Sequence, residues 1–192
     1  ISDDGKISEV FTTFDQLDLL AQLGTGPAIR TLIPRPEAKP IKVESDKTRG
    51  EEQVHKESFQ RFIDEALNKG HLDVMDEILD PGYIGHDPFA DLDRKSFKAV
   101  IGEFRRIVPD LTVTPDILIA EGDWAAARLI YRGTFKNKIA LPVLSVVPSN
   151  KPIQFIINVI VRMDEDGQAA EDWKEFSRLA WLQQAGVVPP TS

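Results

Sequence analysis

Residues 165–186, EDGQAAEDWKEFSRLAWLQQAG, have a twin at the start of the chain in residues 3–24, DDGKISEVFTTFDQLDLLAQLG. At a constant spacing of 162 the two stay in step through Glu9/Glu171, Phe11/Trp173, Phe14/Phe176, Leu17/Leu179, Leu20/Leu182, Gln22/Gln184 and Gly24/Gly186 without a gap. Each copy reads as a tight Asp-Gly turn, a strand and an amphipathic helix closed by glycine, which is how a domain ends. The chain is therefore expected to open, in residues 1–24, on the tail of one domain. A complete second domain is expected over residues 51–192. Between them, residues 25–50 carry Pro27, Pro34, Pro36 and Pro40 and a mixed-charge run with no apolar period, the pattern of a partly extended linker.

The composition, 192 residues with 42% hydrophobic and 28% charged side chains, is that of a soluble globular protein with one core of ordinary size. Cysteine is absent, which excludes disulfide scaffolds, thiolate metal sites and cysteine nucleophiles. A formal charge of −8 works against nucleic acid or an anionic membrane as partner, since both reward lysine and arginine. No apolar run approaches a membrane span, and residues 1–20 lack the basic-then-apolar build of a signal peptide, so a cytoplasmic location is the expectation.

From Glu51 the apolar residues Val54, Phe59, Phe62, Ile63, Ala66 and Leu67 share one helical face, closed by Gly70. A short second helix carries Leu72, Met75, Ile78 and Leu79 and should stop at Asp80-Pro81-Gly82. Tyr83-Ile84-Gly85-His86 suits an edge strand or a lead-in to a loop. Phe97, Val100, Ile101, Phe104 and Ile107 mark a third helix, ended ahead of Pro109. Beyond Pro109 the period changes from 3.6 to 2, with strands expected over residues 111–120, 123–135, 152–163 and 168–176 and a final helix ending near Gly186. Three helices followed by a four-strand antiparallel meander and a helix spell an α+β fold, with helices on one face of a curved sheet around a pocket.

The tract 165–186, together with residues 62–87 and their Gly85-His86-Asp87-Pro88 ending, resembles the SnoaL-like polyketide cyclases of the NTF2-like superfamily. The similarity covers roughly residues 51–189, and the N-terminal tract is similar to the closing segment of the same family, so a tandem of two such domains is expected. The resemblance implies an NTF2-like cone: a curved antiparallel sheet whose open side is filled by helices. It implies a ring closure by intramolecular aldol condensation on a hydrophobic polyketide-like ester, with no metal, Schiff base or other cofactor. It also implies that an aspartate just before the tryptophan of the last strand does the acid/base work, here Asp172 before Trp173. An aldol donor needs a base to take the proton alpha to a carbonyl and an acid for the forming alkoxide, and a carboxyl group gains basicity inside an apolar pocket.

Alternation on the last strand puts Ala170, Asp172 and Lys174 on one face and Glu171, Trp173 and Glu175 on the other, which leaves open a solvated Asp172 beside Lys174. The chain departs from the resemblance at two points. Asn158 stands where aldol-active members carry a histidine that assists the carboxylate, and Phe135 follows Gly133-Thr134 where a second histidine is common; neither titrates. In the N-terminal copy the equivalent of Asp172 is Val10. His86 is the other candidate for proton transfer, with a loop-anchoring role as the alternative. His55 and His71 fall on polar helix positions and are expected in solvent, and three histidines so widely spaced make no metal site. Tyr83, Trp124, Arg128, Tyr131, Trp173 and Asn158 are candidates to line a substrate pocket, core packing being the alternative for the aromatic ones. Arg128, set in an apolar run, must find solvent, a carboxylate or a ligand.

Two classes of function are compatible with these residues. One is a cofactor-independent cyclase or isomerase with Asp172 and His86 as its acid/base groups; the other is a catalytically degenerate module that binds an apolar ligand or dimerises. An epoxide hydrolase or ketosteroid isomerase would need further paired polar groups. The apolar face of the N-terminal copy, Phe14, Leu17, Leu20 and Leu23, needs cover, and a homodimer is expected to supply it.

Overall fold

The structure, a computed structural model, describes residues 5–24, 52–87, 90–141 and 144–188. The expected linker 25–50 lies outside the described residues. The first expected helix is α2 (Glu52–Arg61), which runs on into wider, π-helical turns over Phe62–Lys69. Its stripe Phe59, Ile63, Ala66 and Leu67 is buried, and Gly70 ends it in the left-handed region at φ 78°. His55, expected in solvent, is instead fully buried, its Nδ1 2.9 Å from the Gly122 carbonyl oxygen. His71 is exposed and pairs with Glu65.

A 3-10 turn (Leu72–Val74) and α3 (Met75–Ile78) come next, and then β1 (Leu79–His86), β2 (Asp91–Asp93) and α4 (Arg94–Ile107). Asp93 caps α4 by accepting from the Ser96 N–H at 2.7 Å. The rest is β3 (Thr112–Glu121), β4 (Trp124–Thr134), β5 (Ile139–Leu141), β6 (Leu144–Val146), β7 (Pro152–Met163), β8 (Ala169–Glu175) and α5 (Arg178–Gln184). The six-stranded sheet has the order β2-β1-β8-β7-β4-β3, and β5 and β6 pair separately. The expected antiparallel meander is present as β3-β4-β7-β8, but the sheet is mixed. β1 is an interior strand that pairs parallel to β8, with a register shift between Leu79 and Ile84 that accommodates Asp80-Pro81-Gly82. Among the described residues no helix is long and apolar enough to cross a membrane.

Alternation gives the sheet two distinct faces. The inner face collects Leu129 and Tyr131 of β4 and Val159, Val161 and Met163 of β7, all buried, against the helices. The outer face carries an aromatic stack: the rings of His86 and Trp173 lie 5.2 Å apart and those of Trp173 and Trp124 5.8 Å apart. His86 sits between two carboxylates, Nδ1 2.9 Å from Asp91 Oδ1 and Nε2 3.0 Å from Glu171 Oε1. Partial burial opposes its charge, but the hydrogen bonds to Glu171 and Asp91 prevail and raise its pKa above the ordinary 6.5. Glu171 is held from its other oxygen by Arg162 at 3.2 Å.

Residues 5–24 repeat the helix and the flanking glycine turns of the β8–α5 end of the fold. Helix α1 (Gln16–Gln22) has the bounds of α5 shifted by the sequence spacing of 162. Both helices have side-chain caps at matching places, Asp15 accepting from the Leu17 N–H at 3.1 Å and Ser177 from the Ala180 N–H at 3.3 Å. Gly5 and Gly167 (φ 77° and 74°) match, as do Gly24 and Gly186 (φ 81° and 79°). The strand expected in this copy is not formed; Phe11 and Thr13 instead meet the outer-face side chains of Arg128 and Asn158. Leu17 packs with Leu179, Leu182 and Val188, and the buried Asp15 carboxylate pairs with the buried Arg178 guanidinium. Breaking such a pair strands a charge, at a cost of about 3–5 kcal/mol.

Two outcomes are expected. Asp15→Ala should loosen the segment, and limited proteolysis should cut within residues 5–24 roughly tenfold faster or more while the rest of the domain survives. Because the folded pKa of His86 is raised, its contribution is fully present below the ordinary 6.5 and is lost as pH rises through the folded value. Urea unfolding should therefore show His86→Gln further below the parent chain at about pH 5.5 than at about pH 8.5.

Candidate active site

The inner face of the sheet and the helices enclose a cavity of about 640 Å³. Phe59, Phe62, Phe97 and Phe104 line it from the helices, and Tyr131, Phe155, Ile157 and Val159 from the sheet. Trp181 and Leu182 of α5 and Leu17 of the N-terminal segment complete the wall. Tyr131 and Phe155 are opposite each other on β4 and β7 and stack at 5.1 Å. Burial, and then the charge of Asp172, raise the pKa of the Tyr131 phenol, so it stays neutral.

A buried polar cluster interrupts this largely apolar lining, which also includes Asp87, Glu103 and Arg178. Asp172 and Lys174, two residues apart on β8, both point inward, and their side chains are 7% and 10% exposed. The Lys174 ammonium pairs with Asp172 Oδ1, while the Tyr83 hydroxyl donates to Asp172 Oδ2 at 2.6 Å and accepts from Lys174 Nζ at 3.2 Å. Tyr83 is 1% exposed and stacks on Phe97 at 5.6 Å. Burial first, then the Asp172 charge and hydrogen bond, raise its pKa, which keeps it a neutral donor. Gly85 makes room for the cluster: a Cβ there would lie 2.4 Å from the Tyr83 hydroxyl and 3.1 Å from Lys174 Nζ. A carboxylate, an ammonium and a phenol joined at one end of an apolar chamber can take a proton, return it and steady a negative oxygen.

Of the residues singled out in the sequence, the structure brings Asp172, Tyr83 and Tyr131 to the cavity or its polar cluster. His86, Trp124 and Trp173 lie in the outer-face stack. Alternation is the reason: Tyr83 and Gly85 face inward on β1, so His86 faces out, as Trp173 does beside inward Asp172. Arg128 and Asn158 are register partners, also on the outer face. Arg128 pairs with Asp116 and lies 4.5 Å over the Phe11 ring, and Asn158 donates to Thr13 Oγ1 at 2.8 Å. Phe135 is buried in the core. The residue that sequence reasoning passed over is Lys174. Its signal was present in the two-residue spacing from Asp172, but a lysine beside an aspartate on a strand reads equally as a solvated pair. Among the described residues no group of three or more His, Asp or Glu side chains could hold a metal ion.

No protein of curated function matches the sequence. Solved structures do resemble it. TsrD from Streptomyces laurentii is 28% identical with a TM-score of 0.59, over 76% of this chain and 100% of that one. IdmH from Streptomyces antibioticus, a proposed polyketide cyclase, is 23% identical with a TM-score of 0.57, over 69% and 99%. AclR from Streptomyces galilaeus, a proposed hydroxylase, is 16% identical with a TM-score of 0.63, over 73% and 89%. The profile of the SnoaL-like polyketide cyclase family matches residues 57–185, from within α2 to the residue after α5, and so takes in the whole sheet, the polar cluster and the cavity wall apart from Leu17. With most of its length so matched, the chain belongs to the SnoaL-like polyketide cyclase family.

Proposed function

We propose that the protein is a cofactor-independent cyclase or isomerase of a hydrophobic, polyketide-like or ester substrate, and that Asp172 is its acid/base group. The observation that carries this reading is a carboxyl group, 5% exposed, opening on an apolar cavity of about 640 Å³. In an intramolecular aldol step Asp172 takes the proton alpha to a carbonyl, the carbanion attacks a second carbonyl of the same molecule, and the alkoxide recovers a proton. The apolar wall folds the flexible chain so that the two carbonyl carbons meet, which converts an encounter into positioning. Tyr83 holds the carboxylate in its rotamer.

A second reading has an observation of its own: both Asp172 oxygens already accept hydrogen bonds, from Lys174 and from Tyr83, as they would in a chamber that only binds. The exposed Val10, Phe14 and Leu23 support a dimer in which a second copy covers the N-terminal segment, and the repeat of β8–α5 in that segment supports descent from a tandem of two such domains.

Incubation with a panel of linear aromatic polyketide methyl esters, with products separated by chromatography, should reveal a cyclised product. Asp172→Asn should lower the rate by roughly 10²–10⁴-fold with ligand affinity kept. Tight binding without turnover by the parent protein would establish the binding-only reading instead. Light scattering should give twice the 21.5 kDa chain mass, and Phe14→Glu should return it to 21.5 kDa.

A further inference from the structure

Lys174 has one interaction still to make. Its ammonium carries three N–H donors. One is directed to Asp172 Oδ1 and one to the Tyr83 hydroxyl oxygen at 3.2 Å. In front of the third is the ring of Phe97, whose centroid lies 4.1 Å from Nζ. A ring face is a weak partner for a cation, and an oxygen bearing negative charge displaces it readily. Lys174 also lines the cavity. The other cation in the wall, Arg178, is paired with Asp15, and Arg128 is paired with Asp116 on the outer face.

The ion pair contributes little to folding as such, since a buried carboxylate and ammonium lose about as much hydration as they gain in attraction. Its use emerges once a proton has moved. With the cavity empty, Asp172 and Lys174 neutralise each other. Once Asp172 has accepted a proton from the ligand, the ligand oxygen holds the electron pair and Lys174 is left with an uncompensated positive charge beside it. No charge has been created or lost; the negative end of the pair has moved from Asp172 to the ligand.

Resting on the reading of this cavity as an acid/base site, we propose that Lys174 is a further catalytic residue: its third N–H binds the oxygen that becomes negative when Asp172 removes the proton. The site then selects flat apolar molecules with one enolisable carbonyl or acidic hydroxyl, bound as the anion. Tyr83 is a positioning residue, fixing Asp172 and Lys174 at once, and Gly85 gives it room.

The test needs no turnover. The probe is 2-naphthol, whose neutral and ionised forms absorb differently, titrated against the full chain at a pH below its own pKa. The parent protein should bind it with the spectrum of the naphtholate. Lys174→Met should bind it as neutral naphthol, with the ionised fraction lowered roughly tenfold or more, and Lys174→Arg should restore part of that fraction. Because Lys174→Met leaves Asp172 buried without its partner, the double variant Lys174→Met with Asp172→Asn provides a neutral, packed cavity; it too should bind only the neutral form. Neutral naphthol in the parent protein, or naphtholate persisting in the folded Lys174→Met chain, overturns the role of Lys174 and leaves the cavity as a binding site. Failure of the parent protein to bind 2-naphthol at all overturns both.

Discussion

The buried pair of Asp172 and Lys174 on the inner face of β8 is the constraint around which the rest of the sheet is arranged. Two charges can stand inside an apolar chamber only if each meets the other and a further polar group fills what remains. That group is the Tyr83 hydroxyl, which requires β1 to run beside β8 with Tyr83 inward. Tyr83 and Lys174 in turn require a residue without Cβ at position 85. The parallel β1–β8 pairing, the inward tyrosine and the glycine are parts of one solution to a single electrostatic problem. The stack of Phe97 on Tyr83 extends that solution to α4.

The same alternation sends a different set of groups outward. Because Asp172 and Lys174 are inside, Glu171 and Trp173 are outside, and there Glu171 joins His86 to Arg162 while Trp173 stacks between His86 and Trp124. Strands β1, β8, β7 and β4 are thus bound together twice, by backbone ladders and by this row of side chains. His86 belongs to the outer face of the sheet, with both ring nitrogens facing carboxylates, while Asp172 and Lys174 face the cavity on the other side.

Most of this fold could be read in the sequence because period is a local property. The change from 3.6 to 2 after Pro109 located β3, β4, β7 and β8 to within a residue or two, and the glycine after Lys69 marked the end of the first helix. The parallel pairing of β1 could not be read, since a short strand containing Asp80-Pro81-Gly82 declares no partner; only long-range packing selects β8. Asp172 was legible through the resemblance, since alternation alone left a solvated carboxylate open. Lys174 had the same parity but no meaning until burial removed the solvent from it. Arg128 is a candidate on chemical type and Asn158 on the resemblance, whereas their parity with Arg162 and against Leu129 points to the other face. His55 shows the same limit in a helix: its polar type suggested solvent, and the nearby turn at Gly122 covers it.

The likeness of residues 5–24 to β8–α5 sets up a rivalry within the folding chain. Two segments with the same turn, the same helix and the same spacing of leucines are both suited to the slot between β7 and β1. What separates them is the lining of that slot. Tyr83 offers a hydroxyl hydrogen to whichever segment arrives, and Val10 has nothing with which to accept it, whereas Asp172 does. An unmatched buried hydroxyl makes the wrong occupant the less stable one. The charged residue at the heart of the chamber therefore also distinguishes β8 from the near-copy of its own strand that the same polypeptide carries.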